Sequence, residues 1–209
     1  MTRVLLTGFG PFPGTPDNAS AWLVASLAAS SRADTEVHAE VLPTEWTAVS
    51  HHAPRLLDTV APHVALHFGV SPRATAFRIE RFAHNATMAR VDAAGAVPQS
   101  PGIVAVGAER LSTTVDAGEL SRRLTARGLR ATPSGCAGRY LCNYLYYLSL
   151  QWAARQPAPC MVAFVHIPPR PAHGGPFSEN ELIQGGEEIL SYMIEAASAN
   201  LEVIASGTV

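Results

Sequence analysis

Two cysteines, Cys136 and Cys142, lie in the segment SGCAGRYLCNYLYYLSLQWA and are the strongest candidates for nucleophilic chemistry. Cys142 precedes a long apolar and aromatic run that predicts a helix, whereas the proline and glycines before it disfavour one. We therefore expect Cys142 in the first turns of a helix, where the helix dipole favours the reactive thiolate. The alternative is a buried cysteine that packs as a small hydrophobe. Cys136 is expected in a loop and Cys160 beside a strand start, both of them inert.

A cysteine nucleophile needs a base, and the base needs an orienting group. His166 ends the apolar run MVAFVHIP, so it is either an active-site base or a satisfied core residue. His67, in HVALHFG, fits the same pattern equally well. Glu80, in RIERF, is the candidate carboxylate, and its alternative role is an ion pair with a neighbouring arginine. Spacing alone does not bring Cys142, His166 and Glu80 together.

The elements that must position these side chains alternate between strands and helices. Apolar runs predict buried strands in RVLLTGF, HVALHFGV and MVAFVHIP, and alternation predicts another strand in EVHAEVLP. Helical spacing occurs in ASAWLVASLAAS, with Ser20 as its N-cap, and in TEWTAVSHHAPRLLDTVA, with a break or bend near Pro54. It also occurs in the C-terminal SENELIQGGEEILSYMIEAASANL. This order predicts an α/β fold with a mostly parallel or mixed sheet and helices on both faces.

Two further segments carry weaker signals. AFRIERFAHNAT alternates with period two and predicts a single strand, with Phe77 and Ile79 on one side and Arg78 and Glu80 on the other. The segment DAAGAVPQSPGIVAVGAE is rich in glycine, proline and alanine, and we expect it to be irregular.

Composition limits the classes of function. The 209-residue chain has a net charge of −2 and no lysine, so nothing in its charge favours nucleic acid or an anionic membrane as a partner. The three cysteines lack the spacing of a disulfide framework, and the sequence lacks a bilayer-spanning run and a signal-peptide pattern. We therefore expect a cytoplasmic, reduced protein.

No metal motif occurs, and TGFGPFPG lacks the P-loop lysine, so we expect neither a metal nor a cofactor. Without an internal repeat or a linker, residues 1–209 are expected to form a single domain.

Several segments together resemble the pyroglutamyl peptidase I (pyrrolidone-carboxylate peptidase) family. LLTGFGPFPGTPDNAS is similar to that family's TGF-x-PF block, and GVSPRATAFRIERFAHN resembles its glutamate signature. SGCAGRYLCNYLYYLSL resembles its cysteine signature, and AFVHIP is similar to its histidine strand. The order Glu80, Cys142, His166 and their separations agree as well, and the resemblance covers nearly the whole chain.

The resemblance implies a cytoplasmic cysteine peptidase that removes an N-terminal pyroglutamyl residue from peptides. It implies a single-domain α/β/α sandwich with a twisted, mixed, mostly parallel sheet. Family members occur as monomers and tetramers, which leaves a homo-oligomer, dimer or tetramer, open for this chain. By the same resemblance, Cys142 attacks the pyroglutamyl carbonyl to form a thioester, His166 transfers the proton, and Glu80 orients the imidazole.

The resemblance also implies a small apolar slot for the neutral lactam ring of the substrate. The family's pocket positions correspond here to aromatic and aliphatic side chains, two polar side chains, a backbone segment and an arginine. They are Phe9, Phe12, Asn18, Thr44, Val70, Arg90, Val91, Tyr140 and Leu141.

Three departures from the family pattern define the competing hypotheses. Arg78 stands where the family usually has serine or threonine, Pro13 replaces a glycine, and Pro168–Pro169–Arg170 departs from the family's continuation after the histidine. One alternative is therefore a cysteine hydrolase of the same fold that acts on another small lactam or amide. Another is a non-catalytic binder of pyroglutamyl peptides.

Overall fold

The computed structural model describes residues 1–30, 32 and 34–205, and a mixed sheet lies at its centre. The strands are β1 (Thr2–Phe9), β2 (Thr35–Leu42), β3 (Val64–Val70), β4 (Phe77–Glu80), β5 (Phe82–His84), β6 (Arg110–Ser112), β7 (Ala131–Ser134) and β8 (Met161–Ile167). The helices are α1 (Ala19–Ala28), α2 (Trp46–Val60), α3 (Ala117–Ala126), α4 (Leu141–Ala153) and α5 (Glu179–Ala205), with a short 3₁₀ turn at Pro171–His173.

The central sheet has the strand order β2-β1-β3-β8-β4-β7 among the described residues. All neighbouring strands in it run parallel except β4 and β8, which are antiparallel. One face packs against α1, α3 and α5, and the other against α2 and α4, so each face has its own apolar core. The predicted α/β fold, with a mixed and mostly parallel sheet between helices, is confirmed.

Two details of the helices differ from the sequence expectation. Asn18, and not Ser20, is the N-cap of α1, because the Asn18 Oδ1 accepts a 3.1 Å hydrogen bond from the Ser20 N–H. The Ser20 hydroxyl instead donates to Asn18 Oδ1 and accepts from the N–H of Phe9. Helix α2 continues through Pro54 without a break.

The segment predicted as a single strand after residue 76 forms two strands in different sheets. β4 belongs to the central sheet, whereas β5 pairs antiparallel with β6 in a separate two-stranded sheet. At the junction, the Arg81 N–H donates to the carbonyl of Ser134 and the Arg81 carbonyl accepts from the N–H of Thr113. The chain therefore passes from the central sheet to the two-stranded sheet at Arg81. The strands β6 and β7 and the helix α3 lie in 110–134, where the sequence pattern predicts no element.

The segment 85–109 contains no helix or strand, which was expected for 92–109 but not for 85–87, where the alternating pattern predicted a strand. Two buried or half-buried side chains organise it. Asp92 accepts hydrogen bonds from the N–H groups of Trp46, Ala94 and Ala96, which ties the segment to the start of α2. The Asn85 Oδ1 accepts from two further backbone N–H groups, those of residues 103 and 104. The bond between Asp92 and Trp46 therefore anchors the irregular segment to α2, whereas the Asn85 bonds hold two parts of the segment together.

His67, one of the two histidines with an active-site pattern, lies inside the core. Its side chain is fully buried in β3, with Nδ1 2.8 Å from the hydroxyl oxygen of Thr7. Nε2 has no hydrogen-bond partner among the described residues. Burial lowers the pKa of His67 from 6.5 to about 3, because the buried site disfavours the charged imidazolium. His67 is thus a neutral core residue at physiological pH.

This burial should make the fold sensitive to acid. Between pH 6.5 and about 3 the unfolded chain protonates His67 while the folded chain does not, so stability falls as the pH is lowered through that range. Above pH 6.5 the imidazole is neutral in both states and contributes no pH dependence. We expect His67 to remove about 2 kcal/mol of unfolding free energy between pH 7 and pH 5. His67→Asn should remove that part of the pH dependence in urea titrations, whereas the exposed control His52→Asn should retain it. An equal acid sensitivity of all three proteins would contradict the prediction.

Candidate active site

The register of three strands places three candidate residues side by side. In β8, His166 pairs with Gly69 of the parallel strand β3 and with Arg78 of the antiparallel strand β4. Arg78 and Glu80 are two residues apart in β4, so they lie on the same face as His166. The His166 Nδ1 is 2.8 Å from the Glu80 Oε1, and the Glu80 side chain is fully buried. The sheet therefore orients the imidazole through a buried carboxylate.

Helix α4 brings the thiol to the same edge of the sheet. Gly138 adopts a φ of +81°, in the left-handed region that glycine tolerates best, just before the helix begins at Leu141. Cys142 is the second residue of α4 and is half-buried. The first turn of a helix leaves its backbone N–H groups without partners inside the helix, so the start of α4 offers free donors next to Cys142 in the chain.

Two side chains of α4 fix this helix against β4, which carries the carboxylate, and against β5, which follows it. The buried Tyr146 hydroxyl donates a 2.8 Å hydrogen bond to the backbone carbonyl of Glu80. The fully buried Asn143 accepts from the N–H of His84 and donates to the carbonyls of His84 and Ala86. The helix that carries Cys142 and the strand that carries Glu80 are thus joined directly.

The absence of a side chain at Gly69 leaves space for the sulfur. A Cβ atom at this position would lie 3.0 Å from the Cys142 Sγ and 2.9 Å from the Phe164 Cζ. Contacts this short would force the thiol or the ring to move. Gly69 therefore sets the position of the thiol beside β8.

The electrostatics couple the imidazole to the thiol. Burial by itself lowers the pKa of His166, but the charge and hydrogen bond of the Cys142 thiolate, together with those of Glu80, raise it to about 9. An imidazolium is therefore stable at neutral pH when the thiolate lies beside it. In contrast, burial raises the pKa of the Cys160 thiol to about 12, and this cysteine lies in the core behind the site.

A cavity of about 330 Å³ opens in front of Cys142 and His166. Glu80 does not line it and lies behind the imidazole. Eight of the nine pocket residues expected from the sequence line the cavity, namely Phe9, Phe12, Asn18, Thr44, Val70, Arg90, Tyr140 and Leu141.

Val91, the ninth, is not among the lining residues, and its side chain is 54% exposed. Its carbonyl accepts a hydrogen bond from the Tyr140 hydroxyl, so it supports the cavity wall through its backbone.

The polar groups of the cavity wall are partly engaged within the protein. The Asn18 amide and the Thr44 hydroxyl both donate to the carbonyl of Gly10. The Arg90 guanidinium lies 4.9 Å from the centre of the Tyr140 ring, a cation–π distance. Because these polar groups are held by contacts within the protein, the wall nearest the aromatic residues is rigid and presents a mostly apolar surface to the cavity.

Sequence reasoning missed several residues at the site. The cavity is also lined by Ser71, Pro72, Arg78, Met88, Cys136, Ala137, Gly138 and Arg139. Seven of these lie within the glutamate and cysteine signature segments, which was a usable signal, and only Met88 lies outside them. The positioning roles of Gly69, Asn143 and Tyr146 depend on tertiary contacts, and only the adjacency of Asn143 to Cys142 hinted at one of them.

The described residues contain neither a metal-binding cluster nor a helix that could span a membrane. Over residues 1–30, 32 and 34–205, no group of three or more His, Cys, Asp or Glu side chains is arranged to hold a metal ion. None of the helices in that part of the chain has the length and apolar character needed to cross a membrane.

Comparison with known proteins gives consistent matches. The family described as pyroglutamyl peptidase matches residues 2–176. A pyrrolidone-carboxylate peptidase from Pyrococcus furiosus is 34% identical over 167 residues, which cover 79% of this chain and 80% of that protein. Human pyroglutamyl-peptidase 1 is 32% identical over 195 residues, which cover 92% of this chain and 90% of that protein.

Comparison with solved structures indicates the same family. The solved structure of a mutant pyrrolidone carboxyl peptidase from Pyrococcus furiosus is similar with a TM-score of 0.88 and 29% sequence identity, over 93% of this chain and 99% of that one. The match over residues 2–176, with relatives above 30% identity over most of both chains, shows that this chain belongs to the pyroglutamyl peptidase family.

Proposed function

We propose that Cys142, His166 and Glu80 act as nucleophile, general acid–base and orienting carboxylate in this protein. The chain is a pyroglutamyl peptidase, a cysteine-type hydrolase that removes an N-terminal pyroglutamyl residue. One arrangement of side chains supports these roles. Buried Glu80 bonds to the imidazole of His166 at 2.8 Å, and the thiol of Cys142 raises the pKa of the same imidazole.

The first half of the reaction forms a thioester. The Cys142 thiolate attacks the pyroglutamyl carbonyl carbon, and the carbonyl oxygen takes up negative charge. The unpaired N–H groups of the first turn of α4 are placed to stabilise that oxyanion. Because Nδ1 of His166 bonds to Glu80, Nε2 is the nitrogen left to protonate the leaving amine as the C–N bond breaks.

The second half releases pyroglutamate. Neutral His166 takes a proton from water, and the resulting hydroxide attacks the thioester carbonyl. The C–S bond breaks, and Cys142 leaves as a thiolate beside the regenerated imidazolium. Glu80 holds the imidazole in one orientation throughout and stabilises its charged form, as the aspartate does in serine proteases.

The cavity suits the neutral five-membered lactam. Phe9, Phe12 and Leu141 supply apolar wall, and a small apolar pocket with few polar groups is what such a ring requires. The substrates we propose are N-terminally pyroglutamylated peptides, with no nucleic acid or membrane as partner. A cytoplasmic location and assembly into a dimer or tetramer stay predictions.

Replacing the thiol should abolish turnover. Cys142→Ala is expected to lower the release of a chromogenic amine from a pyroglutamyl amide by about 10⁴-fold or more, since loss of a nucleophile removes most of the rate enhancement. Cys160→Ala is the matched control, because it removes a thiol outside the cavity and should retain most of the activity. Comparable activity of the two variants, both folded by circular dichroism, would exclude Cys142 as the nucleophile.

Removing the buried carboxylate should affect the chemical step and the imidazole together. Glu80→Gln is expected to lower kcat by about 10²- to 10⁴-fold with little change in KM. The pKa of His166, followed by NMR titration, should fall, because Glu80 helps to raise it. Glu109→Gln, at an exposed carboxylate, is the control and should change neither quantity. A normal kcat in Glu80→Gln would refute the orienting role.

A methyl group at position 69 should displace the sulfur. Gly69→Ala is expected to reduce kcat about tenfold or more and to slow alkylation of Cys142 by iodoacetamide, since the Cβ would contact the Sγ at 3.0 Å. In the control Gly102→Ala, the added Cβ would meet its nearest atom at an ordinary 3.6 Å, and activity should be retained. Unchanged rates in Gly69→Ala would show that the thiol does not need this space.

A further inference from the structure

Arg78 is a cross-strand neighbour of His166 in the central sheet. It pairs directly with His166 across β4 and β8, and it lines the cavity with a side chain that is 44% exposed. Its Nη2 donates a 2.9 Å hydrogen bond to the hydroxyl of Ser134, which holds the guanidinium in place. Its Nε lies 3.9 Å from the Glu80 Oε1, a long contact that leaves donors of the guanidinium free.

The strand order separates this cation from the aromatic end of the cavity. Phe9 ends β1, which lies beyond β3 on one side of β8, whereas Arg78 is in β4 on the other side. When the lactam ring occupies the Phe9 end and its carbonyl lies at Cys142, the leaving amine points toward Arg78. Arg78 therefore faces the part of the substrate that follows the cleaved bond.

A second groove continues from the cavity at this point. Its volume is about 410 Å³, and it runs between the loop 73–76 and the edge strand β7. Arg78 lines both the cavity and the groove, so it stands where the two meet. This groove has room for residues beyond the leaving amine.

Both spaces are positively charged. Among the described residues, the cavity is lined by Arg78, Arg90 and Arg139 and the groove by Arg73 and Arg78, and neither is lined by an aspartate or a glutamate. A neutral lactam gives no reason for this charge. A guanidinium that is held by Ser134 and partly shielded from water binds a carboxylate best, through paired N–H donors.

We propose that Arg78 forms a carboxylate-binding subsite on the leaving-group side of the cavity, so that the enzyme prefers substrates with a carboxylate within one residue of the cleaved amide. This inference rests on the proposed function, because it takes Cys142 and His166 as the reacting groups. The carboxylate comes either from the free C-terminus of a pyroglutamyl dipeptide or from an acidic side chain after the pyroglutamyl residue.

Four substrates separate these sources. Pyroglutamyl-alanine is compared with its C-terminal amide, and pyroglutamyl-glutamate amide with pyroglutamyl-glutamine amide. The wild-type protein should show about tenfold higher kcat/KM for the carboxylate member of at least one pair, and added salt should reduce the ratio. Equal values within both pairs would overturn the proposal.

The variants then assign the preference to Arg78. Arg78→Gln should bring the ratio close to one, mainly through KM, and Arg78→Lys should restore part of it. Arg81→Gln, at an exposed arginine of the same segment that lines neither space, should behave as wild type. A ratio that persists in Arg78→Gln, or an equal loss of kcat on all four substrates, would refute the subsite and, in the second case, leave Arg78 as a positioning residue for Glu80.

Binding distinguishes failure of this inference from failure of the proposed function. Calorimetry measures pyroglutamyl-alanine and its amide on Cys142→Ala with and without Arg78→Gln. Carboxylate selectivity that depends on Arg78 would support the subsite even if the wild-type protein cleaved none of the four substrates, a result that would refute the proposed function alone. Equal affinity for acid and amide would refute the subsite whatever the turnover.

Discussion

The antiparallel pairing of β4 with β8, in a sheet that is otherwise parallel, is the constraint on which the site depends. It places Glu80 diagonally opposite His166 on one face, where the two side chains meet at 2.8 Å. A carboxylate buried this completely is costly unless a charged or hydrogen-bonded group faces it, so the imidazole and the carboxylate stabilise each other's place in the fold. Neither could be moved to another strand without leaving the other unpartnered.

Helix α4, which packs on one face of the sheet, brings the thiol of Cys142 to this pair of residues. Tyr146 binds α4 to β4, which carries the carboxylate, and Asn143 binds it to the next strand, β5. Gly69 leaves room for the sulfur in the strand on the other side of His166. The thiol is therefore located by three independent contacts, and each belongs to a rigid element. Such preorganisation is what a reaction with a charged transition state requires, because no group has to be reoriented as charge develops.

The sequence predicted the elements that carry the three residues, because β8 and α4 have strong apolar patterns and the segment that contains β4 alternates with period two. The apolar pattern alone could not choose between His67 and His166, since both lie in apolar runs, and only the family resemblance selected His166. Strand length and register distinguish the two histidines. His67 lies in the middle of β3, whereas His166 lies near the end of β8, level with Gly69 of β3. The sequence pattern also did not reveal that one alternating segment divides at Arg81 into β4 and β5, because the alternation continues across the junction. The anchoring role of Asp92 depends on backbone groups far along the chain, which no local pattern reveals.

The irregular segment 85–109 has a consequence for how such a protein can diverge. It supplies cavity wall through Met88 and Arg90, but it carries none of the reacting groups and adds no strand to the central sheet. Two of the points that attach it to the helices are Asp92, which accepts a hydrogen bond from the N–H of Trp46, and Ala86, whose carbonyl accepts one from Asn143. Insertions or exchanges between these two anchors can reshape the entrance while the sheet and α4 keep their geometry. Evolution can therefore alter which peptides enter without rebuilding the machinery that cleaves them.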